Sequence, residues 1–223
     1  WAVLSMSSEL DGIKFREEEK KELENLLDLV SCQVAGKLSK SKEDEEKGVD
    51  LSPVKTNILL QAFISKLPVK DSALISDLNY VAQNSARICR ALFLIGIYRR
   101  WGQFLRVMLN LCKSVDKQLW GGNDHPICQF EKLPDSIVRS LRLKNPSMEA
   151  LRDMDVGELG DLVGNHKVAK SLAKMIDRFP FIEIDAEVFP ITSNVLRVHL
   201  DLIPDFLWDE RYHGGIQAFW VMV

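Results

Sequence analysis

Residues 71–98 read DSALISDLNYVAQNSARICRALFLIGIY, the longest run of the 223-residue chain that keeps a single period. Leu74, Leu78, Val81, Ser85, Ile88, Leu92 and Ile95 recur at steps of three and four. In an α-helix that spacing puts them on one face and commits the face to a core. Asn79, Gln83, Arg87 and Arg90 recur together on another face. A helix of this length with one apolar stripe needs partner helices, and the flanking sequence supplies them.

Downstream, residues 103–120 repeat the pattern with Leu105, Met108, Leu109, Cys112, Val115 and Leu119, and Gly121-Gly122 marks the expected end. Upstream, SPVKTNILLQAFISKL has Pro53 in its first turn and Pro68 beyond its end, the arrangement proline favours around a helix. Residues 15–30 carry Leu23, Leu26, Leu27 and Val30 at helical spacing among dense charge, which predicts one amphipathic helix. Between these two, residues 36–50 hold nine charged side chains and almost nothing to bury, as a flexible charged loop does. Residues 1–130 are therefore expected to form a helical bundle. Residues 131–178 break into short helical pieces around Pro146, Gly157, Gly160 and Gly164, which suits a helix-loop-helix unit. After Phe179-Pro180 the period changes to two: Ile182, Ile184, Ala186 and Val188, then Leu196, Val198, Leu200 and Leu202, then Phe206 and Trp208. Residues 179–223 are read as antiparallel strands, the start of a β-sandwich. The predicted fold class is α+β multidomain.

Composition narrows the function classes. At 25.4 kDa and 46% hydrophobic residues the chain can bury real cores. The longest run without a formal charge is the twelve residues 212–223, short of the roughly 20 apolar residues a membrane helix needs. Net charge is −3, so a nucleic-acid role has to rest on a local patch. Cys32, Cys89, Cys112 and Cys128 are widely spaced without a Cys-x-x-Cys pair, a usage that suits a reducing compartment. The start at Trp1 and the apolar end AFWVMV lead us to expect an excerpt of a longer chain.

No constellation for catalysis is legible. The glycines at 157, 160 and 164 lack the spacing and the Ser/Thr of a phosphate-binding loop. His125, His166, His199 and His213 are scattered, so no metal site is expected. No Gly-x-Ser-x-Gly elbow occurs, and carboxylate pairs such as Asp153 with Asp155 lie in charge-rich helical sequence. Charge is nonetheless uneven. Between residues 79 and 117 stand seven cations, Arg87, Arg90, Arg99, Arg100, Arg106, Lys113 and Lys117, against the single acid Asp116, so this segment carries +6 and the remainder −9. The stripe Asn79, Gln83, Arg87 and Arg90 can follow a nucleic-acid backbone, or it can be the solvated face of a bundle helix. Residues 158–176 offer a second candidate, with Gly164 at a turn, Asn165 at a helix start and Lys167 and Lys170 for charge. This is either a phosphate-binding hairpin or a purely structural one.

Four stretches carry a family likeness: YVAQNSARICRALFLIGIYRRW (80–101), LNLCKSVDKQLW (109–120), QFEKLP (129–134) and PITSNVLRVHLDLIPDFLWDERYHG (190–214). In this order they resemble the Sec-sixty-three homology unit of large DExH-box helicases. The resemblance implies a helical bundle, a helix-loop-helix domain and an immunoglobulin-like sandwich, here truncated. It implies a non-catalytic accessory module whose bundle carries a long "ratchet" helix, residues 71–98, with Asn79, Gln83, Arg87 and Arg90 facing single-stranded RNA or DNA. Its partners would be the RecA-like and winged-helix domains of the same parent chain and the proteins of a multi-subunit complex, with no membrane. ATP and Mg would belong to the parent helicase and no cofactor to this part. Nucleus and cytosol both fit. The other reading is a protein-protein interaction scaffold without nucleic-acid contact.

Overall fold

The computed structural model describes residues 1–34, 38, 50–130, 133–216 and 220–221. The charged segment 36–50 lies outside the described residues except for Leu38 and Asp50, as does the terminal AFWVMV except for Trp220 and Val221. Two compact units divide the chain, Trp1–Asp124 and His125–Val223.

In the first unit a short α1 (Ala2–Ser5) and a 3-10 turn (Ser8–Leu10) precede α2 (Lys20–Leu27), α3 (Ser52–Ile64), α4 (Ser72–Arg99) and α5 (Gly102–Lys117). The centre is α3, which packs against α1, α2, α4 and α5. It is buried almost all round, from Val54 through Ile58, Leu59 and Leu60 to Ile64, together with the polar side chains of Lys55, Thr56, Asn57 and Gln61. Leu23, Leu26, Leu74, Val81, Val115 and Trp120 close the core around it. The helix expected over 15–30 is shorter than its periodicity suggests. Glu17–Glu19 is a 3-10 turn and the α-helix starts only at Lys20, because Glu19 turns inward to a buried lysine and is 4% exposed.

Two helix ends also differ from the sequence reading. α5 stops before Gly121-Gly122, with Gln118 itself in the left-handed region at φ 51°. There the Gln118 amide donates to the Phe63 carbonyl (3.1 Å) and the Trp120 indole donates to Ser65 Oγ (2.8 Å), so side-chain bonds to the end of α3 stabilise the break. In α4 the buried line runs Leu74, Val81, Ala82, Ser85, Cys89, Phe93 and Gly96, leaving Ile95 48% exposed. The shift follows Gly96. A Cβ there would meet Leu105 Cδ2 at 2.9 Å and Phe104 Cδ1 at 3.0 Å, so glycine lets α5 cross close to α4.

In the second unit α6 (Asp135–Lys144), α7 (Met148–Asp153), α8 (Val156–Val163) and α9 (His166–Asp177) follow a 3-10 turn at Pro126–Gln129. Each is bounded by its own chemistry. Asn145 ends α6 in the left-handed region before Pro146, and Ser147 Oγ caps α7 by accepting from the Ala150 amide at 3.1 Å. Asp155 and Glu158 form a reciprocal capping box on α8. Ile137, Leu141, Leu151, Leu159, Ala169 and Leu172 are at most 1% exposed and form the interior.

β1 (Ile182–Thr192) and β2 (Val195–Pro204) pair antiparallel. The register sets Ile184 opposite Leu202, Ala186 opposite Leu200 and Val188 opposite Val198, the alternation read from sequence meeting itself across the hairpin. Ile184, Val188, Leu196 and Leu202 are each about half exposed. Phe206 and Trp208, expected to continue the strands, do not. Amide bonds from Asp205 to the Phe181 carbonyl (2.9 Å) and from Leu207 to the Asp177 carbonyl (2.8 Å) draw this segment back to the end of α9. There Trp208 stacks on His213 with ring centroids 5.0 Å apart, beside the short α10 (Glu210–His213).

Candidate nucleic-acid-binding face

α4 is anchored at its start, which sets its rotation. Asp71 caps it, its carboxylate accepting from the amides of Ala73 (2.8 Å) and Leu74 (2.9 Å). Glu22 of α2 accepts from the Lys70 amide (2.6 Å) and the Asp71 amide (3.2 Å). One turn on, Asp77 joins a buried ion cluster. Lys55 of α3, fully buried, donates from Nζ to Glu19 Oε2 (2.6 Å), Asp77 Oδ2 (2.7 Å) and the Lys14 carbonyl (2.9 Å). Arg16 pairs with Glu19 and reaches Asp77 at 3.3 Å. At the other end Arg100 takes the left-handed conformation at φ 59°, and the Trp101 amide donates to the Gly96 carbonyl (3.1 Å).

With its rotation fixed, α4 turns Asn79, Gln83, Arg87 and Arg90 to solvent, and all four are exposed. The stripe spans twelve residues, about 17 Å at the helical rise. Asn79 and Gln83 make no side-chain hydrogen bond among the described residues. Arg87 pairs with Glu9 and also donates to Asn84 Oδ1 (2.9 Å). Arg90 donates from Nη2 to both oxygens of Asp116 on α5 (2.8 and 2.9 Å), and this bond raises its already high pKa further. Arg99, Arg100, Arg106, Lys113 and Lys117 are exposed and make no ion pair among the described residues. Beyond Arg90 the same helical face continues as Leu94 and Tyr98, 60% and 85% exposed.

Sequence reasoning missed Glu9 and Asn84. Asn84 had a signal, since it lies three residues before Arg87. Glu9 had none, being 78 positions away. Behind the stripe, Cys89 and Cys112 share a small apolar cluster with Phe93 and Met108. Burial, and then each thiol's proximity to acidic groups, pushes Cys89 up to about 11 and Cys112 in the same direction, so these are packing thiols rather than nucleophiles.

The second candidate lies wholly in the other unit. Gly164 takes φ 66° as the cap of α8, and Asn165 Oδ1 caps α9 by accepting from the Lys167 amide (3.1 Å). Lys167 and Lys170 are exposed. The turn is also tied internally. Lys144 Nζ donates to the Leu162 carbonyl (2.6 Å), and the His166 ring lies where a Cβ on Gly160 would be. Asp161 sits 3.2 Å from His166 Nε2, which adds negative charge beside the start of α9. Among the described residues no group of three or more His, Cys, Asp or Glu side chains is placed to hold a metal ion.

A helical bundle, a set of short capped helices and an antiparallel hairpin, with a cationic helix face on the bundle, make this an α+β multidomain chain. A family model described as Sec63 Brl domain matches residues 1–223, and the chain belongs to that family. Its relatives include the RQC trigger complex helicase SLH1 of Saccharomyces cerevisiae, 56% identical over 223 residues, which is 100% of this chain and 11% of that protein. The U5 small nuclear ribonucleoprotein 200 kDa helicase of Homo sapiens is 40% identical over 221 residues, 99% of this chain and 10% of that protein. Activating signal cointegrator 1 complex subunit 3 of Bos taurus is 39% identical over 224 residues, 100% of this chain and 10% of that protein. The chain thus spans about a tenth of the length of these relatives.

Proposed function

We propose that this chain is a non-catalytic accessory module of an ATP-dependent helicase. It holds the unwound single strand of RNA or DNA along Asn79, Gln83, Arg87 and Arg90, and braces the motor domains. In this reading ATP and Mg bind the RecA-like domains of the parent, which act together with a winged-helix domain. The charged segment 36–50 and the β hairpin would serve partner proteins of a larger complex. A nuclear or cytosolic setting accords with relatives named for a small nuclear ribonucleoprotein and for an RQC trigger complex.

The observation that carries the reading is the geometry of α4. Its buried line faces the core and its ends are capped, while amide and guanidinium groups recur along the opposite, exposed face. Donors spaced about a turn apart suit backbone contact, which is tolerant of sequence as a motor requires. The test is binding of a fluorescein-labelled 20-mer oligouridylate by the chain and by its Arg87→Ala/Arg90→Ala variant across a salt series. Affinity should fall about tenfold at low salt and the slope of log K against log salt should flatten by about 0.7 for each lost phosphate contact. An unchanged affinity and slope would favour the scaffold reading, in which the same variant loses a protein partner instead.

A further inference from the structure

The two arginines of the stripe are each met by an acid from a different element. Arg87 pairs with Glu9, in the 3-10 turn Ser8–Leu10, and Arg90 pairs with Asp116 of α5. Neither acid is needed to solvate a buried charge. The side chains of Arg87 and Arg90 are 67% and 63% exposed, and those of Glu9 and Asp116 are 48% and 33% exposed. Each carboxylate engages guanidinium donors that a strand phosphate would also use, since both present anionic oxygens to them. Arg90 is held by Nη2 alone, which bonds both Asp116 oxygens. A phosphate that reached another donor of Arg90 with Asp116 still in place would make two anions share one cation.

From this we infer that Glu9 and Asp116 set the affinity of the stripe, by competing with phosphate for Arg87 and Arg90. The inference rests on the strand reading of α4. Strand binding exchanges two intramolecular ion pairs for two intermolecular ones, so the net gain per contact is small and the module releases as readily as it grips. Solvent-exposed ion pairs are weak enough for such exchange. The freed carboxylates also take up cations from solution, which offsets part of the counterion release that drives binding.

The test uses the whole chain and the same labelled oligouridylate. Glu9→Gln/Asp116→Asn keeps the shape and one accepting oxygen of each side chain and removes their charge. It should raise affinity about twofold to tenfold and steepen the salt slope. Glu24→Gln/Asp28→Asn makes an equal change in net charge at two exposed acids of α2 and its end, and should alter affinity by less than about twofold. Equal gains in both variants would trace the effect to overall charge and overturn the inference. So would a loss of affinity in Glu9→Gln/Asp116→Asn, which would mean that the carboxylates orient the arginines for the strand. Arg87→Ala/Arg90→Ala separates the two levels. If it leaves binding unchanged, the strand reading itself fails; if it weakens binding while Glu9→Gln/Asp116→Asn has no effect, only the competition fails.

Discussion

Two charge clusters lie along α4, built from the same residue types and different in every other respect. Near the start of the helix, Lys55 is fully buried and bonded to Glu19, Asp77 and the Lys14 carbonyl, and Arg16 completes the charge balance. Further along, Arg87 with Glu9 and Arg90 with Asp116 form two pairs open to water. Burial makes the first cluster a structural joint between the N-terminal segment, α3 and α4, because no group in it can leave without stranding another in a poor solvent. Exposure makes the second exchangeable, since water can replace either partner, and a phosphate the carboxylate, at little cost. One cluster fixes which way the helix faces, and the other lies on the face proposed to meet the strand.

The contrast is sharpest for variants that remove a cation from each. Lys55→Met leaves Glu19 and Asp77 without their buried partner and should destabilise the chain by about 3–5 kcal/mol, read as a lower urea midpoint at unchanged slope. A smaller effect, set by pH, is expected in the second unit. His125 is 3% exposed, with Nε2 2.9 Å from the Pro146 carbonyl and Nδ1 accepting from the Ile127 amide at 3.3 Å. Burial holds its pKa below the usual histidine value, the bond to Pro146 opposing only in part. The unfolded chain therefore takes up the proton first, and the stability contributed by neutral His125 is complete above about pH 6.5 and declines as the pH falls. Urea midpoints measured between pH 7.5 and 5.5 should decrease, and in His125→Ala that dependence should be weaker. The smallest effect belongs to the exposed pairs. Arg87→Ala/Arg90→Ala should unfold within about 1 kcal/mol of the parent sequence. A loss as large as that of Lys55→Met would make the exposed pairs structural and dissolve the contrast.

How much of this was legible in the sequence follows from the range of the interactions. α4 could be read closely because its evidence is local: an apolar step of three and four, and a polar stripe on another face. The β hairpin was legible for the same reason, its alternation placing Ile184 against Leu202 and Val188 against Val198. What escaped was long-range. Glu9 meets Arg87 across 78 positions, Asp116 meets Arg90 across 26 and Glu19 meets Lys55 across 36. No period marks such partners, because tertiary packing chooses them. The same cause shortened the helix expected over 15–30, where Glu19 is drawn inward, and ended α5 at Gln118 rather than at the glycine pair. Phe206 and Trp208 continue an alternating pattern, yet backbone bonds to Phe181 and Asp177 and the stack on His213 decide their place. The stripe itself was legible as a row of residues, but not that its arginines are already paired.

The most direct test of the central claim is to photocrosslink the chain to an oligouridylate carrying 4-thiouridine and identify the attached residues by mass spectrometry. The account predicts adducts on the exposed face of α4, from Asn79 to Tyr98, that disappear at high salt. Adducts confined to other elements, or unchanged by Arg87→Ala/Arg90→Ala, would contradict it.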